Sequence, residues 1–536
     1  MGESVSAPDA SQTKPADKKS GMGDRVLAST LALSLGAVVH IVGQIVVVPI
    51  GMATWQKERW GEWLSISALV MFLALTDLGV QTHVVNKMNA HFARDKKDEM
   101  LHELHSALRI QGPLAIVIWT LGALVFYFLP LKSWLGIRTA TELDTYLTVI
   151  FFSFELLLNV PFGVVNSTYR AAQQLPRAAV IGTFKRVLEI LILSTMMLLR
   201  WPFWTVALGR VLSVLVLYSW VIRDLHQRFS WFKLRPLRGD ARDGLAMLPS
   251  GALFLLAALS DYLANQGNLM IIQGSLGGVA VAQLATHRTI SSMGKIVATQ
   301  LASAIWPELT ALEALGDTGR LVRLHRTAAK LVAFLAGIPL LAFFPMSAWV
   351  YRMWTMRELS LDAVILGVFI LQTILWGVWY AGWTVLMATN RQGRLVWLLA
   401  VNALVSMGLC ILLVPRMGIR GAAISMLIAD CIIALWAIPR AACIALGDQP
   451  LGFFREVFLA IGVGLLVPAL VSAGAYVVLP AGALRALVTP IVFLMVALPL
   501  VWISLLPEEQ ALCMRMFDKI RNRLPFLRRF GKEMTS

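Results

Sequence analysis

Along this chain, apolar stretches of about 20 residues or more alternate with short polar and charged segments. A run of that length crosses the roughly 30 Å hydrocarbon core of a bilayer as a helix. The runs are continuously apolar, without the every-other-residue alternation of barrel strands, so helices satisfy the backbone inside the membrane. The pattern predicts fourteen spans: 25–50, 62–86, 110–130, 146–169, 178–199, 202–222, 245–272, 278–305, 329–350, 361–388, 395–415, 419–439, 457–479 and 486–506. The expected fold class is therefore all-α, a polytopic membrane protein.

Composition agrees. Of 536 residues 58% are hydrophobic and 15% charged, with mean hydropathy +0.71. The first 24 residues, rich in Ser, Lys, Asp and Gly, read as a disordered cytosolic tail without the apolar core of a cleavable signal. Cys410, Cys431, Cys443 and Cys513 lie in spans or in a cytosolic tail, so no disulfide framework is expected. The net charge of +16 reads as topology and attraction to anionic inner-leaflet lipid, not nucleic-acid binding.

The lysines and arginines test the topology. With a cytosolic N-terminus, thirty-two of the 47 fall on the cytosolic side, ten on the other and five inside spans. That asymmetry predicts an even number of spans with both ends cytosolic. The spans also repeat: adding 220 to the first six lands close to spans seven to twelve, and Leu101, Leu104 and His105 recur as Leu321, Leu324 and His325. Two parallel six-helix lobes, 25–223 and 245–440, around a central cavity are expected. Between them lies a basic linker at 224–244, and 457–506 forms an appended helix pair. The segment 507–536 reads as a basic amphipathic tail on the inner leaflet, with Leu512, Met516, Ile520, Leu524 and Leu527 at helical spacing.

Ionisable residues at membrane depth are costly and mark transport paths or helix-to-helix ion pairs. The candidates are Asp77, Glu155, Lys185, Arg186, Glu189, Arg210, Asp261, His287, Arg288, Lys295 and Asp430. Lys185 and Glu189, at i and i+4, pair on one face. Arg186, Arg210, Arg288 and Lys295 then need either carboxylates or a ligand anion. Arg288 and Lys295 stand two turns apart on one helix, an arrangement that would receive a phosphate-bearing substrate. Asp77, Asp261, Glu155 and Asp430 are the candidate coupling or gating acids. No phosphate-binding glycine loop, nucleophile elbow or acidic outer loop is present, so no enzyme is expected. His102 and His105 form an i, i+3 pair without a third ligand and read as a solvated face, leaving no metal site.

Trp60-Gly61-Glu62-Trp63-Leu64 followed by Leu75-Thr76-Asp77-Leu78-Gly79-Val80 resembles the polysaccharide-transport flippases, the O-antigen or exopolysaccharide group of the multidrug/oligosaccharidyl-lipid/polysaccharide (MOP) exporter superfamily. Ala285 to Arg288 in span eight, Pro307, Asn390-Arg391-Gln392, and Leu413-Val414-Pro415 with Gly418-Ile419-Arg420-Gly421-Ala422-Ala423 fit the same order. The resemblance implies two six-helix lobes and alternating access in a bacterial cytoplasmic membrane. It further implies transfer of undecaprenyl-diphosphate-linked oligosaccharide between leaflets, with Arg288 lining a cationic cavity. A polysaccharide polymerase and glycosyltransferases would be its functional partners. No cofactor is implied beyond H+ or Na+ as a driving ion. The alternatives are an ion-coupled multidrug exporter of the same superfamily and, less favoured, a lipid II flippase. Some lipid II flippases carry span-one arginines, where this chain has only His40 and Gln44. A glycan polymerase or acyltransferase fits poorly with such short outer loops.

Overall fold

The computed structural model describes residues 22–71, 80–172, 174–246, 256, 259–260, 262–389, 391, 393–511 and 514. Asp77, Asp261 and the terminal segments 1–21 and 515–536 lie outside the described residues. The described chain is helical without a strand. The first lobe comprises α1 (Met22–Met71), α2 (Val80–Ala93), α3 (Lys97–Phe128), the short α4 (Leu131–Trp134), α5 (Glu142–Ala171), α6 (Leu175–Leu198) and α7 (Phe203–Arg228). The second comprises α8 (Asn268–Leu276), α9 (Gly278–Ala314), α10 (Thr318–Phe343), α11 (Ser347–Trp354), α12 (Ala363–Ala388), α13 (Gly393–Met417), α14 (Ile419–Ala429) and α15 (Leu435–Leu446). The appended pair is α16 (Pro450–Ile461) running into α17 (Val467–Val478), then α18 (Ala483–Ser504).

Ten helices among the described residues are long and apolar enough to cross a membrane. Expected spans five and eight are absent from that set, and expected span seven lies partly outside the described residues. Span five carries Lys185, Arg186 and Glu189; span eight is rich in Ser, Thr, Gln and cations. Both nevertheless form helices of spanning length, α6 and α9. Helices also overrun the apolar runs: α3 begins at Lys97, thirteen residues before expected span three, because its amphipathic first turns continue the same helix.

Within α1 the chain breaks at Gln56 (φ 61°, ψ 171°), separating expected spans one and two. Aromatic contacts pin this corner. Trp55 and Trp63 meet edge-on at 5.9 Å, Phe203 packs 4.8 Å from Trp55, and the Arg59 guanidinium lies over both Trp55 and Phe203.

The lobes share one packing plan. In the first, α1 packs on α6, α2 on α3 and α5, α3 on α5, α5 on α7 and α6 on α7. In the second, α8 packs on α13, α9 on α10 and α12, α10 on α12, α12 on α15 and α13 on α14. Individual contacts repeat at the 220-residue offset. Arg210 over Phe152 corresponds to Asp430 bonded to Gln372. His105 beside the Lys233 carbonyl corresponds to His325 stacked on Phe453. His105, with His102 on Asp243, holds the basic linker against α3.

The lobes touch through α1 against α8 and α9, at the end of the bundle opposite the basic loops. Ser65 donates to Gln273 Oε1 at 2.8 Å, and Gln273 Nε2 reaches the Gly136 carbonyl at 3.4 Å. Trp354 donates its indole N–H to the Ile45 carbonyl at 3.0 Å. At the centre of this seam the backbones of Gly61 and Gly278 lie against one another: a Cβ on Gly61 would sit 1.7 Å from the Gly278 oxygen.

Candidate functional site

The site starts from α9, which carries Gln283, Thr286, His287, Arg288, Thr289, Ser291, Ser292, Lys295, Thr299 and Gln300 within membrane-length sequence. The hydroxyls are satisfied locally, by bonds such as Thr286 to the Ala282 carbonyl at 2.8 Å and Thr289 to that of Ala285 at 2.9 Å. Thr286 in addition meets the Tyr351 hydroxyl of α11 at 2.7 Å. His287, fully buried, accepts from the Asp362 N–H through Nε2 at 3.0 Å and sits 2.7 Å from the Gln283 carbonyl through Nδ1. It ties α9 to the start of α12, a structural role.

Arg288 and Lys295 are half-buried on α9. Arg288 Nη1 donates to the carbonyl of Asn265, which lies in a widened π-helical turn at Leu263–Gly267. A widened turn breaks the regular backbone ladder, and such turns recur at functional sites. Lys295 Nζ lies 5.5 Å from the centre of the Trp376 ring.

Asp430 opens a second π-helical turn, Asp430–Ala434, between α14 and α15. It is buried, yet both oxygens are met: Gln372 Nε2 donates to Oδ2 and Asn402 Nδ2 to Oδ1, each at 2.9 Å. Two neutral amides thus hold the carboxylate within the helix bundle. One turn along α13, Ser406 accepts from Asn268 Nδ2 at 3.0 Å. The buried Oδ1 atoms of Asn402 and Asn268 make no hydrogen bond among the described residues. The result is a polar seam through the second lobe that holds two amide oxygens without a hydrogen-bond partner among the described residues.

The first lobe is different. Glu155 on α5 has no accessible surface, and Arg210 on α7 and Lys185 on α6 approach it at 3.2 and 3.7 Å. Glu189 bridges the same two cations, 2.8 Å from Lys185 and 3.7 Å from Arg210. Asn159 also donates to Glu155 at 2.7 Å, and Arg210 stacks 4.5 Å from the centre of Phe152. Two acids and two bases sum to zero. The spacing in sequence shows only the Lys185–Glu189 pair; α5 and α7 bring Glu155 and Arg210 into it. Lys185 and Arg210, expected as cavity cations, are thus neutralised by carboxylates, and Glu155, expected as a coupling acid, is their partner. Arg186, on the exposed face of α6, donates among the described residues to the Gly36 carbonyl of α1, at 3.4 Å.

Of the nine residues expected at a site, the structure thus joins Lys185, Arg210 and Glu155 in one cluster, sets Lys295 over the Trp376 ring and bonds Asp430 to two amides. It sets Arg288 beside the π turn, leaves Arg186 on the exposed face, and does not describe Asp77 or Asp261. Gln372, Asn402, Asn268 and Trp376 escape sequence reasoning. Uncharged amides inside an otherwise apolar span are the one signal that points to the first three.

The fold is that of the MOP-superfamily transporters. A lipid II flippase, MurJ, in an inward closed conformation superposes with TM-score 0.67 over 89% of this chain and 98% of that one, at 11% identity. A multidrug resistance MATE family transporter of the MOP superfamily in an inward-facing conformation gives TM-score 0.61 at 14% identity, over 79% of this chain and 97% of that one. An outward-facing MATE family structure gives 0.56 at 14% identity, over 79% and 95%. No family model and no curated protein sequence matches the chain.

Proposed function

We propose that this chain is a flippase for undecaprenyl-diphosphate-linked oligosaccharide in a bacterial inner membrane, serving O-antigen or exopolysaccharide assembly with both termini in the cytosol. The observation that carries the reading is the pair Arg288 and Lys295, half-buried two turns apart on a polar helix that also packs against α1 of the other lobe. A diphosphate cannot cross hydrocarbon unaided; guanidinium and ammonium groups beside a hydroxyl-lined helix replace its hydration while the polyprenyl tail stays in lipid. The lobes are sealed at the end away from the basic loops, so the substrate enters from the cytosolic side, and rocking of the lobes exposes it to the other. Likeness to both a lipid II flippase and MATE transporters supports a transporter of this superfamily. The cationic pair on α9 favours a phosphorylated lipid over a cationic drug.

In cells lacking their own glycan flippase, Arg288→Ala is expected to accumulate to normal levels in the membrane. Surface glycan should fall at least about tenfold, the loss expected for one charge-assisted contact of about 1.5–3 kcal/mol, while lipid-linked glycan builds up inside. Arg288→Lys should recover part of the output. Wild-type glycan from the alanine variant removes Arg288 from the path.

The buried carboxylate and the two partnerless amide oxygens of this seam support coupling to H+ or Na+. Asp430 and the amide oxygens of Asn402 and Asn268 are oxygen ligands of the kind a proton or a hard cation takes. Asp430→Asn is expected to leave the fold intact and make glycan output insensitive to collapse of the driving gradient. Unchanged sensitivity would take Asp430 out of the coupling step.

A further inference from the structure

At the basic-loop end of the second lobe, α12, α13 and α15 leave a groove of about 560 Å³, away from the seam just described. Its walls are Leu386, Leu398 and Ile444, with Ala437, Ala441 and Ala445 at i, i+4 and i+8 along one face of α15. Those three alanines are why the groove exists: methyl groups cannot span the gap that leucines would close. Arg391 and Arg440 also line it.

The two arginines differ. Arg391 is braced, donating to the Ala445 carbonyl and, at 3.0 Å, to Glu313. Arg440 is exposed and forms no ion pair among the described residues. The mouth therefore keeps about one unneutralised positive charge. Its depth is fixed by Arg391 bonding the last turn of α15, where the spans end. Trp397 and Trp436, 64% and 58% exposed, lie next in sequence to the lining residues Leu398 and Ala437. Exposed tryptophans beside basic residues mark the headgroup level of a membrane-facing surface.

We infer that this groove binds one anionic phospholipid, its phosphate held by Arg440 and Arg391 and an acyl chain lying along the alanine face of α15. The volume falls within the usual ligand range of about 300–1,000 Å³. Basic pockets between membrane helices at the cytoplasmic side suit such headgroups. Arg440, about one and a half turns inside the end of α15, extends its aliphatic stem along apolar surface and presents its guanidinium to the phosphate. The site is separate from the cationic pair on α9 and does not depend on which substrate the protein moves.

The test uses the purified full-length protein in neutral detergent, with phosphatidylglycerol and phosphatidylcholine of matched chains, and native mass spectrometry as readout. Wild type is expected to retain one phosphatidylglycerol in preference to phosphatidylcholine. Arg440→Gln and Ala441→Phe should each lower that occupancy at least about fivefold, the first by removing charge and the second by filling the groove. Arg440→Lys should keep most of it, and Arg416→Gln, an exposed change at the opposite end of α13, should keep all of it. An unchanged unfolding midpoint in Ala441→Phe shows that the loss is local. Equal retention of the two lipids overturns the inference, as does full occupancy in both groove variants. So does displacement of phosphatidylglycerol from this groove by undecaprenyl diphosphate, which would make it a substrate portal. Transport is not measured, so failure here leaves the flippase reading standing, and failure of that reading leaves this one.

Discussion

Gly61→Ala is expected to force the lobes apart at the end opposite the basic loops. The new Cβ would sit 1.7 Å from the Gly278 carbonyl oxygen, 2.4 Å from its carbon and 2.8 Å from its Cα. Nothing flexible is available to yield, because backbone meets backbone. On the facing side a Cβ at Gly278 would fall 2.6 Å from the Glu58 carbonyl. Overpacking of this kind costs about 1–3 kcal/mol or more, and every 1.4 kcal/mol changes a two-state population about tenfold. The closed far end, with its Ser65–Gln273 bond, should therefore lose roughly ten- to a hundredfold in population to the open form. Spin labels at Ser133 and Glu358, exposed on opposite lobes at that end, should report a longer main distance, with loss of glycan output in cells. Gly274→Ala, which meets nothing within 4 Å, is the matched control and should change neither. An unaltered distance distribution in Gly61→Ala would mean that the seam is not the gate.

Lys330→Met should give the largest loss of stability. Lys330 is 1% exposed and lies 2.7 Å from Glu456 and 2.6 Å from Glu509, which is itself 5% exposed. Arg326 joins the cluster through Glu456 at 2.6 Å and Asp448 at 2.5 Å, while Thr327 donates to Glu509 at 2.7 Å. These bonds fasten α16 and the segment after α18 onto α10, with Glu509 also accepting from the Leu506 N–H at 2.8 Å. Removing the lysine leaves two acids without their common cation, at a cost of about 3–5 kcal/mol. The unfolding midpoint in detergent should fall, and proteolysis near 505–511 should quicken. Adding Glu509→Gln should recover part of the loss, because the second change removes a stranded charge. Additive losses in the double variant would show that the two groups act separately.

The long apolar helices among the described residues and the 220-residue repeat were legible because each depends on local chain properties. Apolar length sets a span, and a helix completes its own hydrogen bonds. Span eight was legible even though its polar residues lower its hydropathy, since Arg288 and Lys295 share a face by spacing alone. Glu155 was not: its partners lie thirty and fifty-five residues along, on α6 and α7, and no periodicity links them. Asp430 was visible as a buried acid, but the amides that hold it sit on α12 and α13. The break at Gln56 likewise shows no proline or glycine signal at that residue.

By itself, then, the order of residues determined a helical membrane protein of two similar halves with charges at depth, because hydrocarbon imposes those constraints on each segment separately. Only the tertiary structure decided which charges in the first lobe cancel one another. Charge pairing depends on distances between helices, and packing alone sets them. That is why Lys185 and Arg210 became members of a neutral cluster with Glu155 and Glu189, a grouping that no spacing along the chain displays.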